Sequence, residues 1–258
     1  MRILVEGDYH CGHVLGLTPP DWWSKQNRRF ASAMWNWREK MLAEVGPVDV
    51  HVLNGDLTDG EGRKGTIGLI VTDIAMQAEM AAMAAKRVNA KERFLTYGTP
   101  FHTVSTLSHE QLVADELDAP ITDTLRLKAG GLRFNFRHVV GRSDVPYGQG
   151  TQLFKEAVRD ALQSLIHKTA DADVFVRSHV HYFWHEESAT KHALICPAWE
   201  LPMCDEDGNN VYPRTLRTMY YDVGALVLDV EGGELTVRKQ IMPLRYVAKR
   251  EYIECGIQ

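Results

Sequence analysis

The chain has 258 residues, 45% apolar and 24% charged, the balance of an ordinary soluble globular protein large enough to build a core without staples. A net charge of −5 argues against a broad basic surface, and so against extensive non-specific duplex binding. No apolar run approaches membrane-spanning length, no leader precedes the first strand, and none of Cys11, Cys196, Cys204 and Cys255 forms Cys-x-x-Cys, so the expectation is a reduced, cytoplasmic protein with no membrane contact.

In chain order, Ile3-Leu4-Val5 reads as a buried strand, and Gly7-Asp8-Tyr9-His10-Cys11-Gly12-His13 forms the loop at its carboxyl end. Open α/β sheets build their sites on such loops. Asp8 and His10 can reach one cation together, and an oxygen with a nitrogen suits zinc, manganese, iron or nickel better than calcium. Cys11 in this loop reads as a buried thiol. A helix is expected from about 18 to 45, with Phe30, Met34, Trp37 and Met41 on its core face. Trp22, Trp23 and Trp35 fall off that face, to be explained by packing or, less simply, by a stacking surface.

A second buried strand spans 48–54, and Gly55-Asp56-Leu57-Thr58-Asp59-Gly60 follows it directly. Residues 55–68 form a glycine-rich loop carrying Arg63 and Lys64, and a helix is expected from about 66 to 90. A third strand, 93–96, leads into Tyr97-Gly98-Thr99-Pro100-Phe101-His102. Ser108 opens a short helix to about 117. Ala129-Gly130-Gly131 turns a hairpin of 124–128 with 132–137, which ends at His138. A loop at 141–150 holds Arg142, and a helix follows at about 152–170. The strand 173–177 runs into Ser178-His179-Val180-His181. Strands are expected near 186–189, 193–196, 224–230 and 234–242, with an irregular excursion at about 199–221. No repeat or linker divides residues 1–258, which read as one domain. Three strand ends therefore carry Asp-x-His, Gly-Asp and His-x-His, and their agreement points to a two-metal site.

In this order the motifs resemble those of the calcineurin-like metallophosphoesterases, with small phage-type or Mre11-like members as the nearest in look, over residues 1–181 in ligands and to about 244 in strand pattern. The resemblance implies a four-layer α/β/β/α sandwich of two mixed sheets flanked by helices. It also implies two divalent ions, with manganese the first expectation and iron, zinc or nickel the alternatives. Carried over by motif, Asp8, His10 and His181 hold the first ion, Asp56 bridges both, and His179 holds the second. His138, after its strand, is the remaining ligand of the second ion. The family's third motif is Gly-Asn-His, and this chain lacks the Asn. His102 then serves as ligand or as proton donor, with His109 and His13 as further candidates for the general acid. Arg177-Ser178 stands where the family usually has Gly.

The activity implied is hydrolysis of phosphate esters by hydroxide generated at the metals. A phosphodiesterase or nuclease is the first reading, a phosphomonoesterase the second, and a catalytically inactive binding or scaffold member the third. Partners are then a phosphate ester, a nucleotide or a nucleic acid. Arg63, Lys64, Arg142 and Arg177 are candidates for phosphate contacts, Asp59 for orienting a ligand, while His51, His185 and His192 stand outside the ligand set.

Overall fold

The computed structural model describes residues 1–61, 68–99, 108–143, 145, 148–167, 171–201 and 221–243. In chain order the elements are β1 (Arg2–Glu6), a 3-10 turn (Pro20–Trp22), α1 (Arg28–Val45), β2 (Val48–Asn54), α2 (Ile74–Lys86), β3 (Ala90–Thr96) and α3 (His109–Leu117). Then come β4 (Ile121–Thr122), β5 (Leu125–Ala129), β6 (Leu132–Phe136), α4 (Thr151–His167), β7 (Val174–Arg177), β8 (Trp184–Glu187), β9 (His192–Ile195), β10 (Gly224–Glu231) and β11 (Glu234–Ile241).

Two mixed sheets result. The first has the order β11-β10-β1-β2-β3-β4, with β1 to β4 parallel and β10 and β11 antiparallel. The second has the order β5-β6-β7-β9-β8, parallel across β6, β7 and β9. Alternation decides how they stack, because successive side chains of a strand point to opposite faces. Ile3 and Val5 of β1, Val50 and Val52 of β2, and Leu226 and Leu228 of β10 meet Phe134, Phe136, Val174, Val176 and Leu194 of the second sheet in one buried cluster. The opposite face of the first sheet, with Leu4, Leu53 and Leu95, packs under Met34 and Met41 of α1, Ala78 and Ala81 of α2, and Val113 of α3. Leu153 and Ala157 of α4 cover Ala193, Ile195 and Phe175 of the second sheet. The sandwich therefore has four layers, α/β/β/α.

Several expectations shift. The buried stripe of α1 is Ala31, Met34, Trp35, Arg38, Met41 and Val45, with Phe30 and Trp37 only half-buried beside it. The stripe is turned because Arg38 points inward to a bidentate pair with Glu6 at 2.8 and 2.7 Å. Trp35 is buried and Trp22 and Trp23 pack against the same cluster, which is the packing reading of these rings. Helix α2 starts eight residues later than expected, at Ile74, because the Asp73 carboxylate accepts from the Met76 N–H and caps it there. Strand β8 ends at Glu187, two residues before the expected end. Of the excursion, residues 202–220 lie outside the described residues.

Candidate metal centre

Parallel strands within a sheet end at one edge. The loops after β1, β2 and β3 are stitched there: Asp8 N–H donates to the Gly55 carbonyl at 2.9 Å, His10 N–H to the Asp56 carbonyl at 3.1 Å, and Trp199 N–H to the Asp8 carbonyl at 3.0 Å. Asn54, the last residue of β2, ties the first sheet to the second. It accepts from Thr96 Oγ1 at 2.9 Å and donates to Ser178 Oγ at 2.8 Å. Ser178 thus has a partner that the glycine expected by resemblance could not supply.

Two clusters of ligand-type side chains form at this edge: Asp8 with His10 and His181, and Asp56 with His138 and His179. Every expected ligand lying within the described residues is in one of them. The clusters adjoin. Asp8 Oδ1 lies 3.2 Å from His181 Nε2, 3.9 Å from His10 Nε2 and 3.8 Å from His138 Nε2, and His138 Nε2 lies 2.9 Å from Asp56 Oδ2. Asp8 Oδ1 and His138 Nε2 are buried and, although His181 and Asp56 lie within reach of them, form no hydrogen bond of proper geometry, an arrangement that costs free energy unless something else satisfies them. His10 Nε2 and His181 Nε2 stand 3.4 Å apart, close to the separation of about 3.3 Å that two nitrogens have on a tetrahedral zinc. The donor set and the orphaned atoms fit divalent cations.

Three of the four imidazoles, those of His10, His138 and His181, are held through the other nitrogen, which leaves Nε2 for the centre. His10 Nδ1–H donates to Asp59 Oδ1 at 3.0 Å, as expected of Asp59. His138 Nδ1–H donates to the Asn54 carbonyl at 2.7 Å. His181 Nδ1 faces Glu200 Oε2 at 3.3 Å, and Glu200 Oε1 holds His13 Nδ1 at 3.1 Å. Sequence reasoning missed Glu200, because no motif surrounds it; only the Trp199–Asp8 backbone bond brings it to the cluster. His13, a candidate acid, is buried against Gly68 and bound to Glu200, so it supports the cluster and does not face it.

The charges agree with a cation site. Burial pulls the His138 pKa down, but Asp56 and Asp8 outweigh it and raise the value to about 9. Burial opposes ionisation of Asp8, yet His181 and His138 hold its carboxyl below the usual range. Burial and Asp56 push Glu110, on the first turn of α3, upward.

At the third strand end, Thr99 occupies the position after Gly98. Its N–H donates to Asp56 Oδ1 at 2.6 Å and its hydroxyl reaches Oδ1 and Oδ2 at 3.1 and 3.0 Å. A Cβ on Gly98 would meet Asp56 Oδ1 at 2.1 Å and Glu110 Oε1 at 2.6 Å, so only glycine lets this strand end approach. His102, Arg63 and Lys64 lie outside the described residues. His109 is buried at the start of α3 and belongs to neither cluster. Arg142 is exposed, and its charge reaches Tyr221, whose ring packs edge-on to His181 with centroids 5.6 Å apart. Arg177 is turned away from the centre: its guanidinium lies under α4, donating to Glu156 at 2.8 Å and to the Asn135 and Val176 carbonyls at 2.9 Å. Alternation along β7 puts it on the outer face, so it is not placed to touch a phosphate here. Cys11 donates its thiol to the Leu17 carbonyl at 3.0 Å and is buried, and His51 is buried on Glu6 at 2.9 Å, both structural as expected.

No family model matches the sequence, and no curated protein sequence matches it. Solved structures do. Wild-type Vps29 complexed with zinc from Entamoeba histolytica is 14% identical with a TM-score of 0.48, over 94% of this chain and 98% of that one. A novel archaeal phosphodiesterase is 14% identical with a TM-score of 0.44, over 94% of this chain and 100% of that one. A putative 5'-nucleotidase from Staphylococcus aureus is 12% identical with a TM-score of 0.43, over 99% of this chain and 56% of that one.

Proposed function

We propose that this chain is a metal-dependent phosphoric ester hydrolase with a two-ion centre of the calcineurin-like kind, and within that class a phosphodiesterase or nuclease. The observation that carries the reading is the meeting of Asp8, His10 and His181 with Asp56, His138 and His179, drawn from four loops of both sheets. Divalent ions bound there would acidify a water and neutralise phosphate oxygens. Manganese is the first ion to test.

The chain's own residues then have distinct tasks. Asp59, Glu200 and the Asn54 carbonyl hold imidazoles with Nε2 inward. Asp56 would take the bridging place that the resemblance gives it, and Asp8 Oδ1, near His181 and His138, lies between the two groups as well. Arg142, together with Arg63 and Lys64, would take non-bridging phosphate oxygens. Water attacks phosphorus in line, and the departing oxygen takes a proton from His102 or His109.

One observation favours a second reading. Thr99 occupies both oxygens of Asp56 at the strand end where the resemblance places a ligand, as a member converted to a binding or scaffold role would allow. An assay of the manganese-loaded protein on bis-p-nitrophenyl phosphate, p-nitrophenyl phosphate and single-stranded DNA separates the readings. Turnover of the diester or the DNA above the monoester is expected. Turnover of the monoester alone makes it a phosphomonoesterase, and two bound equivalents without turnover make it a scaffold. Asp56→Asn should abolish activity with an unchanged circular dichroism spectrum; wild-type turnover in that variant overturns the bridging role.

A further inference from the structure

A third constellation stands apart from the centre, on the hairpin of β8 and β9. The two strands are antiparallel with Glu187 opposite His192 and His185 opposite Leu194. His185 and Glu187 are two apart on β8, so they share a face, and His192 is the direct neighbour of one and the diagonal neighbour of the other. His185, Glu187 and His192 each present one donor atom within 4.8 Å of the other two. His185 Nε2 and His192 Nδ1 are 3.4 Å apart, with rings nearly parallel at 22°.

That spacing is at the long end of a hydrogen bond, whose N–H···O form prefers about 2.7–3.2 Å between heavy atoms. Two imidazole nitrogens on one tetrahedral zinc, each about 2.0–2.1 Å from it, stand about 3.3–3.4 Å apart. The nearest cationic side chain in sequence, Lys191, is tied to Asp171 and the Ala172 carbonyl and leaves the face open.

We propose that His185, Glu187 and His192 form a zinc site that is separate from the phosphoesterase centre and stands whether or not that centre is catalytic. Two imidazoles and a carboxylate suit zinc over magnesium or calcium. With three protein ligands, solvent fills the remaining position. β8 is the edge strand of the second sheet, and an ion shared with β9 would pin it at the hairpin end.

The test uses the full chain stripped with EDTA and titrated with zinc against a chromophoric chelator. An Asp8→Asn, Asp56→Asn background is compared with the same background carrying His185→Ala and His192→Ala. The background should bind one zinc equivalent that the added pair removes. Glu187→Gln, at an exposed position, should weaken that equivalent roughly tenfold or more with the circular dichroism spectrum unchanged. In the otherwise wild-type chain the His185→Ala, His192→Ala pair should leave phosphoesterase turnover as it was. Equal zinc stoichiometry and affinity with and without these substitutions would overturn the site.

Discussion

Six residues other than glycine have positive φ among the described residues, and five of them are Asp8, His10, Asp56, His179 and His181. A left-handed residue with a Cβ costs roughly 1–2 kcal/mol. A sequence under selection for stability alone would place glycine at these five positions. Concentrating such strain in the proposed ligand residues of three loops is what a site that needs fixed donor directions does. His179, at φ 75°, allows a direct check. Its backbone N–H, which donates to Asp8 Oδ2 at 3.1 Å, survives any substitution. His179→Gly should therefore abolish binding of the second ion while leaving apo stability in EDTA within about 1 kcal/mol of wild type, or above it. A larger loss in urea denaturation would show that the imidazole, and not the ion, earns its conformation. The residues behind the ligands make a second prediction. Asp59→Asn and Glu200→Gln keep their shapes but lose the charge that orients His10 and His181. Each should weaken the first ion about 10–100-fold with little effect on the second. Titration with manganese followed by electron paramagnetic resonance reads the two affinities separately, and unchanged affinity in both variants removes the orienting role.

At the scale of the element, the loop after β1 is held by a buried polar network as well as by the sheet. Arg38 of α1 pairs bidentately with Glu6, Glu6 takes His51 at 2.9 Å from β2, and Tyr9 donates its hydroxyl to Glu6 at 2.7 Å. Tyr9 lies between the ligands Asp8 and His10, so the network fixes the turn from below. Burial opposes the Glu6 charge, but Arg38 and His51 keep its carboxyl far below the usual range. Arg38→Ala leaves that carboxylate buried without its guanidinium partner, on the His51 and Tyr9 hydrogen bonds alone, and should cost about 3–5 kcal/mol in urea denaturation. Arg38→Met with Glu6→Gln should recover part of this loss; if the double variant is no better than the single one, the cost lies in packing and not in charge. The same network marks the limit of what the sequence discloses. The strands were legible because β1, β2 and β7 are short apolar runs that end in Gly-Asp or His-x-His. The inward turn of α1 was not, because an arginine on a helix reads as a solvent residue until its partner, 32 positions away, is known. The start of α2 was misread for a local reason, a capping carboxylate at Asp73 inside an otherwise helical pattern.

For the whole molecule, the ligands divide between the sheets. Asp8, His10 and Asp56 follow strands of the first sheet, and His138, His179 and His181 follow strands of the second. Sequence motifs could name these residues because each lies two or four positions after a strand, where chain order and spatial order coincide. They could not name Glu200, which is not next to a strand, nor the outward turn of Arg177, which depends on which face of β7 the core claims. The division between sheets also makes ion binding a statement about global stability. An ion held by Asp8, His10 and His181 joins strands that otherwise meet through the apolar layer between sheets and a few hydrogen bonds, such as those of Asn54 and Asp8. An unfolded chain cannot present those ligands together, so the ion binds the native state alone and stabilises it by mass action. At a free concentration of about 100 Kd one site adds roughly 2.7 kcal/mol, which for a domain of this size corresponds to roughly 5–10 °C in Tm. Manganese or zinc should therefore raise Tm by at least that amount over the EDTA-treated protein. Asp8→Asn, which takes charge from the atom between the two clusters, should remove most of the rise, whereas Arg177→Lys should retain it. Equal Tm with and without ions in the wild-type chain would mean that the six ligands do not act as one centre across the sandwich.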